Sequence, residues 1–210
     1  LNWKHILNPD KYKNIIIGVI VGLVLLFGGL YAYKHFIKAP KEAKAKDAIF
    51  NAQYLFAKDS FQLALNGSGN IQGFKKIADE YGSTAAGNTA KFYAGVCNLN
   101  LKKYAEAVKY LEDFSTKDPL GNARKYGCLG DAYAEQKKMD EAINNYKKAY
   151  AYDNEVTAPT YMYRAALALE LSDKKNEALE LYKKLNTTYP NSQEGQAAEL
   201  SIGKLEQQVK

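Results

Sequence analysis

The residue types best suited to nucleophilic, acid–base or metal chemistry are few in this chain. Its two histidines, His5 and His35, lie on either side of an uncharged apolar segment, and no histidine follows His35. Its two cysteines, Cys97 and Cys128, form no CxxC pair and have no metal-ligand spacing. A Ser-His-Asp or Cys-His arrangement is therefore excluded from the rest of the sequence, and we predict no catalytic residue, no metal site and no cofactor.

The remaining chemical signals are equally weak. The stretch NGSGN, residues 66–70, is too short and misplaced for a P-loop or a dinucleotide-binding motif. Carboxylates occur beside lysines, as in KYLEDF and KKMDEA, which is typical of solvent-facing helix surfaces. The apolar surroundings of both cysteines favour two small buried residues, and a disulfide between neighbouring helices is the alternative. The sequence therefore predicts a protein that is not an enzyme.

The formal charge of +6 is concentrated near the N-terminus. Residues 1–40 contain five lysines and one aspartate, whereas basic and acidic residues nearly balance in the rest of the chain. Nucleic-acid binding requires a basic patch on a folded surface, and the sequence contains no such cluster. We therefore expect no nucleic-acid partner.

These lysines flank a long apolar segment, NIIIGVIVGLVLLFGGLYAY, which runs from Asn14 to Tyr33 without a charge. As a helix, Ile15–Tyr33 spans roughly 28 Å, close to the hydrocarbon thickness of a bilayer. Aromatic residues suited to the headgroup level stand at both ends: Trp3, Tyr12, Tyr31, Tyr33 and Phe36. We predict a pre-membrane segment over residues 1–14 and a single transmembrane helix over residues 15–36.

Two other interpretations of the apolar segment compete with an anchor. A cleaved signal peptide has a shorter apolar core and a small-residue cleavage site, which LYAYKHFIK does not offer. A buried core helix would need apolar partners on every side, whereas the other predicted helices have one apolar face each. Both alternatives are therefore less favoured than a membrane anchor.

The glycines of the apolar segment suggest contact with another membrane helix. Gly18 and Gly22 form a GxxxG motif, and Gly29 follows on. This spacing permits close packing of helices in lipid. The lysines do not determine the orientation of the segment, because they stand on both sides of it. The chain begins at Leu1 rather than Met, so we expect further residues upstream whose charges would also count.

The chain after residue 40 repeats itself. We align AGVCNLNLKKYAEAVKYLEDFSTKDP, LGDAYAEQKKMDEAINNYKKAYAYDN and AALALELSDKKNEALELYKKLNTTYP, with offsets of 35 and 36 residues. A small residue comes first, an alanine twelve later, and a large residue four further on. The aligned triplets are Gly95, Gly130 and Ala166; Ala107, Ala142 and Ala178; and Leu111, Tyr146 and Tyr182.

This pattern resembles the tetratricopeptide repeat, a helix–turn–helix unit with a period of about 34 residues. The resemblance implies an all-α protein in which a transmembrane helix is followed by a solenoid of three to four units. We expect Gly or Ala in the first helix of a unit to meet Ala in the second helix, and the large residue to fill the gap to the next unit. Pro119, Asn154 and Pro190 are expected to end the second helices.

The resemblance also sets the predicted boundaries. Three good units cover residues 88–190, and residues 41–86 form a degenerate first unit in which residues 41–65 read as one overlong helix. A basic stem over residues 37–47 begins that helix, and Pro40 is expected to separate it from the membrane segment. The second helix of the first unit has Phe74, Ile77 and Tyr81 on its apolar face. A capping helix over residues 191–210 is predicted to begin at an N-cap near Ser192.

In tetratricopeptide proteins the first helices of successive units line a concave groove. Transferred to this sequence, the groove residues are Phe92, Val96, Leu99, Asn100, Arg124, Asp131, Glu135, Tyr163, Leu167 and Glu170. Aromatic side chains mixed with single charges suit an extended peptide or a helix. Packing between neighbouring first helices is the simpler role for Val96, Leu99 and Leu167. Because Arg124 is the single cation on this wall, we do not expect a clamp for C-terminal carboxylates.

The layout of one anchor and a small solenoid resembles the bacterial YfgM-type proteins, and the sequence also looks like membrane-anchored repeat proteins of Bacteroidetes. The first resemblance implies an inner-membrane adaptor with a cytoplasmic N-terminus and a periplasmic repeat domain. Its expected partners are subunits of the Sec translocon, periplasmic chaperones or unfolded secreted chains. An envelope scaffold that self-associates or organises cell-wall or outer-membrane machinery, and a cytoplasm-facing adaptor, are the alternatives.

Overall fold

The computed structural model describes residues 9–209, with side chains from Tyr12 onward. It begins with a continuous helical rod built from α1 (Pro9–Ala32), a π-helical segment (Tyr33–Lys38) and α2 (Ala39–Phe56). Within the described chain, this is the one helix long and apolar enough to cross a membrane. None of its apolar window is buried in the protein, so it is not a core helix of the solenoid. Most of the predicted pre-membrane segment lies outside the described residues.

The prediction that Pro40 separates the stem from the anchor is wrong. Pro40 lacks an N–H, and its ring would collide with the carbonyl of Phe36 in a regular α-helix. The π-helical segment just before it widens the backbone, and the Ala39 N–H donates to the Lys34 carbonyl five residues back. The rod therefore passes Pro40 without a break.

The degenerate first unit contains two features that the sequence analysis did not predict. The expected long helix stops at Phe56, turns through Asp59 at φ 53°, and resumes as α3 (Phe61–Asn66). The NGSGN stretch after it lies in a small antiparallel hairpin, β1 (Gly67–Ser68) paired with β2 (Ile71–Gln72). Gly67 has φ 93°, and a Cβ there would lie 2.4 Å from the Ile71 carbonyl oxygen, so only glycine fits.

The second helix of the first unit agrees with the sequence. It is α4 (Phe74–Tyr81), which buries Phe74, Ile77 and Ala78. On α2 the buried residues are Ala45, Ile49 and Ala52, whereas Ala43 is exposed. α2 and α4 both pack against α5 (Ala85–Asn100). The rod that contains the apolar segment therefore forms one wall of the solenoid.

The regular units follow as antiparallel helix pairs. They are α5 (Ala85–Asn100) with α6 (Tyr104–Asp113), α7 (Pro119–Glu135) with α8 (Met139–Tyr150), α9 (Ala158–Leu171) with α10 (Lys175–Thr188), and the terminal α11 (Gln193–Gln208). The backbone repeats its turn, because the equivalent residues Lys102, Lys137 and Asp173 all have φ near 60°. The two helices of each pair are thus joined by a turn with one residue in the left-handed conformation.

The first helices begin at side-chain caps. Thr84, Asp118 and Ser192 each accept a hydrogen bond from the backbone N–H of a glycine three residues later. The predicted N-cap at Ser192 is confirmed, with Gly195 as its donor at 2.9 Å. α9 differs, because its N-cap Thr157 makes no side-chain cap. The Asn154 Oδ1 instead accepts from the N–H of Thr157 at 2.8 Å, in the turn before the helix.

In two of the units the small residue of the first helix lies against the large residue of the second helix. A Cβ on Gly95 would lie 2.6 Å from Leu111 Cγ, and one on Gly130 would lie 2.4 Å from the Tyr146 ring. In these two units the small residue of the first helix therefore receives the large residue of its own second helix. Leu111 is fully buried and Tyr146 is 4% exposed. Tyr146 also belongs to one cluster of buried residues with Met162 and Ala165 of α9, the first helix of the next unit.

The core is divided into two clusters of buried residues. The N-terminal cluster joins the first unit to α5 and includes Ala45, Ile49, Phe74, Ile77 and Cys97. The C-terminal cluster joins the helices from α7 to α11 and includes Tyr146, Tyr161, Tyr182, Leu185 and Leu205. The α6–α7 contact lies between them.

Candidate partner-binding groove

A groove of about 450 Å³ crosses the C-terminal ends of α5 and α7 and the middle of α9. Its wall consists of Leu99, Asn100, Lys102, Tyr104, Asp131, Ala134, Glu135, Tyr146 and Arg164. Three of the predicted binding residues, Asn100, Asp131 and Glu135, lie in this wall. Residues four and seven apart share a helix face, which places Arg124 on the same side of α7 as Asp131 and Glu135.

Asp131 is engaged inside the protein. The Tyr146 hydroxyl donates to Asp131 Oδ1 at 2.8 Å, and Arg164 Nη1 donates to the same oxygen at 2.6 Å. Arg164 is 43% exposed and Asp131 is 26% exposed by side chain, so the pair lies at the groove surface. The nearby carboxylate also raises the pKa of Arg164, which holds this guanidinium charged. Asp131 therefore ties α7 to α8 and α9, and its oxygens already have donors.

The other two predicted acids are also hydrogen-bonded within the solenoid. Glu135 accepts from the Tyr104 hydroxyl at 2.8 Å. Glu170 accepts from Lys204 Nζ at 2.8 Å, which links α9 to α11. These contacts supply donors to both carboxylates, but only Glu170 is paired with a cation, because the Tyr104 hydroxyl that binds Glu135 is neutral.

Two cations and one amide on this side of the solenoid are more accessible. Arg124 and Lys102 are exposed, and neither makes an ion pair within the described residues. Asn100 is exposed and donates through Nδ2 to the Val96 carbonyl at 2.9 Å, so its side-chain oxygen faces outward to accept. The groove wall therefore presents Lys102 and the Asn100 amide, and Arg124 lies on the same side of α7 outside that wall.

The predicted aromatic anchors are packing residues in this structure. The Phe92 ring lies 5.3 Å from that of Phe114, at the end of its own second helix. The Tyr163 ring meets that of Tyr182 edge-to-face at 5.5 Å. Both are half-buried, and neither lines the groove described above. The apolar part of the groove wall instead comes from Leu99 and Ala134, both half-buried. Leu167 is 41% exposed on α9 and does not line the groove.

Sequence reasoning missed Arg164, Lys102, Tyr104 and the hydroxyl of Tyr146 as groove residues. The repeat pattern uses Tyr146 only as the large residue of its unit. A tyrosine paired with Asp131 on the neighbouring helix also predicts a hydrogen bond, which the structure contains. Arg164 sits on α9, 33 residues after Asp131, close to the repeat period. An acid and a base about one period apart are neighbours on adjacent first helices, and this signal was available.

The cysteines show no sign of reactivity. Both are free thiols, and Cys97 is fully buried. Desolvation raises the pKa of each thiol to about 12, so both are protonated at neutral pH. In the part of the chain that the structure describes, no group of His, Cys, Asp and Glu could hold a metal ion.

The glycines of the apolar segment have open surroundings. A Cβ built on Gly18, Gly22 or Gly29 would meet nothing within 4 Å. Their surface is therefore accessible to another helix, as the GxxxG prediction requires, and packing there stays a prediction.

Comparison with known sequences assigns the repeats. Sequence models of the tetratricopeptide repeat match residues 89–120 and 160–192, and a second model of the same repeat matches residues 126–155. Residues 89–192 are a tetratricopeptide-repeat array. The matched ranges coincide with the pairs α5–α6, α7–α8 and α9–α10. No curated protein matches the chain.

The fold is also similar to solved structures. One, described as "Crystal structure of MamA protein", has 18% identity and a TM-score of 0.59 over 79% of this chain and 86% of that chain. Another, described as "MamA RS-1 ArsTM double mutant", has 20% identity and a TM-score of 0.57 over 84% of this chain and 91% of that one. At such identity the likeness concerns the fold. The repeats and this fold support a protein-interaction scaffold.

Proposed function

We propose that this protein is a membrane-anchored, non-enzymatic adaptor that binds a segment of another protein in the groove across α5, α7 and α9. The observation that carries the proposal is the continuous rod, which joins an exposed apolar helix to the first wall of the repeat array. A groove built on such a rod is held at a fixed distance from the bilayer. The array would then act by binding its partner at a defined position next to the membrane.

The chemistry of the groove indicates the kind of segment it would bind. Arg124 and Lys102 are exposed cations, whereas Asp131 and Glu135 already accept hydrogen bonds from neighbouring side chains. Leu167 adds apolar surface. A segment with an acidic residue and an apolar side chain would satisfy these groups, and backbone amides would reach Asn100.

A photo-crosslinking amino acid tests the groove in cells. Placed at Asn100 or Arg124, it should capture one recurrent partner protein, because both positions are exposed on the groove side. The matched control is Lys109 on α6, which is equally exposed on a second helix. Capture from Lys109 and not from Asn100 or Arg124 would contradict binding in this groove.

The finer assignment follows the layout resemblance. We propose that the array lies in the periplasm and meets translocon subunits, chaperones or secreted chains there. Two measurements test this. Alkaline phosphatase fused after Lys210 should be active, since it folds outside the cytoplasm. Translocon subunits should co-purify with the detergent-solubilised protein, and their absence beside an active fusion would favour an envelope scaffold instead.

The array would lie in the cytoplasm if the phosphatase fusion were inactive and a fusion to green fluorescent protein were fluorescent. That outcome would overturn the periplasmic assignment and would leave a cytoplasm-facing adaptor. The groove experiment is independent of this result, because crosslinking reports a partner on either side of the membrane.

A further inference from the structure

The stem between the membrane segment and the solenoid has a strongly unbalanced charge. Five lysines lie between residues 34 and 46: Lys34, Lys38, Lys41, Lys44 and Lys46. The same stretch and the residue after it contain two carboxylates, Glu42 and Asp47. None of the five lysines makes an ion pair within the described residues.

Glu42 binds the N-terminus of α5 rather than the neighbouring lysines. Its Oε2 accepts from the Ala85 N–H at 2.8 Å, and its Oε1 accepts from the Ala86 N–H at 3.2 Å. Both donors belong to the first turn of α5, where the helix dipole also favours a negative charge. Glu42 therefore points toward the solenoid, and the lysines beside it keep their charge unneutralised.

The uninterrupted rod fixes how far each lysine lies from the apolar segment. At no more than about 1.5 Å per residue, Lys34, Lys38 and Lys41 lie within roughly 12 Å of Tyr33 along the axis, and Lys46 lies about 20 Å away. The headgroup layer extends about 5–8 Å beyond the hydrocarbon, and the surface potential decays over about 8 Å more. Three lysines thus fall inside the field of a charged bilayer surface.

The direction of the rod adds to this effect. Cα–Cβ bonds in an α-helix tilt toward the N-terminus, and here the membrane segment lies on the N-terminal side. The stem lysines therefore lean back toward the headgroups rather than away from them. Exposed rings at Tyr31, Tyr33 and Phe36 occupy the same level of the rod and fix its depth in the interface.

We propose that Lys34, Lys38 and Lys41 bind the headgroups of acidic phospholipids. This proposal rests on the proposed membrane anchoring and goes beyond it, because an anchor alone requires no particular lipid. Attraction to an anionic surface strengthens binding by about fivefold for each lysine near it. The stem selects the lipids around the anchor, and the lipid contact in turn fixes the tilt of the rod that holds the groove.

The test compares spin-labelled phosphatidylglycerol with spin-labelled phosphatidylcholine around the full-length protein in phosphatidylcholine vesicles. We expect the wild type to prefer phosphatidylglycerol. Changing Lys34, Lys38 and Lys41 together to Gln should lower that preference about threefold or more. The matched control changes Lys109, Lys117 and Lys137 to Gln, which removes the same charge from exposed solenoid positions and should leave the preference unchanged.

Depth supplies a second measurement. Lys34→Gln should reduce the preference for phosphatidylglycerol more than Lys46→Gln, because Lys46 lies beyond the reach of the surface field. Equal partition of the two lipids in the wild type, or a triple variant that behaves like the solenoid control, would overturn the proposal.

Flotation of the vesicles separates this proposal from the anchor. A protein that floats with the vesicles but shows no lipid preference contradicts lipid binding and leaves the anchor in place. A protein that fails to float contradicts both. A triple variant that keeps its lipid preference but loses a co-purifying acidic protein would assign the lysines to that protein instead and overturn the lipid proposal.

Discussion

The two core clusters solve the same packing problem with different residues. In the N-terminal cluster, rings close the irregular unit: Phe74 stacks on Tyr93 at 5.0 Å, and Phe56 meets both. In the C-terminal cluster, small residues receive large ones, as Gly130 receives Tyr146. A unit that keeps the repeat spacing can use the small–large pair, whereas the unit interrupted by α3 and the hairpin needs aromatic rings to fill irregular space.

Alkaline pH should produce the largest difference in stability between the two clusters. Burial raises the pKa of Tyr161 to about 12 and raises the pKa values of Tyr146 and Tyr182 further. These phenols are neutral in the folded state and ionise near pH 10 when unfolded, so the stability they support is complete below about pH 10 and is lost as the pH rises further. For Tyr161 alone this amounts to roughly 3 kcal/mol.

We therefore expect the C-terminal cluster to unfold first between about pH 10 and 12. Pulse proteolysis with an alkali-stable subtilisin, read by mass spectrometry, should find early cleavage within residues 119–208. Tyrosine absorbance at 295 nm should rise in the same pH range as cleavage. Earlier cleavage within residues 60–100 would show that the aromatic cluster is the more alkali-sensitive one.

Phe74→Ala should be the most damaging single substitution in the N-terminal cluster. Phe74 is fully buried and touches two other rings, so truncation leaves a cavity and costs about 3–5 kcal/mol. Urea unfolding of the protein in detergent measures the loss. Phe50→Ala is the control, because Phe50 is 71% exposed on α2 and should change stability by less than about 0.5 kcal/mol.

Gly130→Ala tests the small–large pair of the C-terminal cluster. The added methyl would lie 2.4 Å from the buried Tyr146 ring, so we expect a loss of about 1–3 kcal/mol from overpacking. Gly203→Ala has nothing within 4 Å and should gain up to about 1 kcal/mol from helix propensity. If Tyr146→Leu failed to rescue Gly130→Ala, the ring would not be the source of the strain.

Glu42→Gln should have the smallest effect and tests how firmly the rod joins the N-terminal cluster. The amide keeps one acceptor for the α5 N-terminus but loses the charge, which costs about 0.5–1 kcal/mol. Hydrogen exchange of the first turn of α5 should increase, while exchange in α9 should stay unchanged. Equal protection in both proteins would mean that Thr84, which also caps α5, is sufficient.

The repeats could be predicted from the sequence because their spacing is local and periodic. Glycine or alanine, followed by alanine and a large residue at fixed intervals, identified α5 to α10 and the N-cap at Ser192. The groove could be predicted only in part. Asn100, Asp131 and Glu135 were placed by transfer of the repeat, but Arg164 and Tyr104 reach the groove from neighbouring helices across contacts that no local pattern records.

The sequence by itself determined the apolar segment, the repeat and the lack of a histidine after His35, since composition and period depend on chain order alone. Only the tertiary structure decided that the rod passes Pro40, that α3 and a hairpin interrupt the first unit, and that Asp131 is occupied by Arg164 and Tyr146. The physical reason is shared. A proline can be absorbed by a π-helical turn, and a carboxylate can be engaged by donors far along the chain, so both outcomes depend on neighbours that folding supplies.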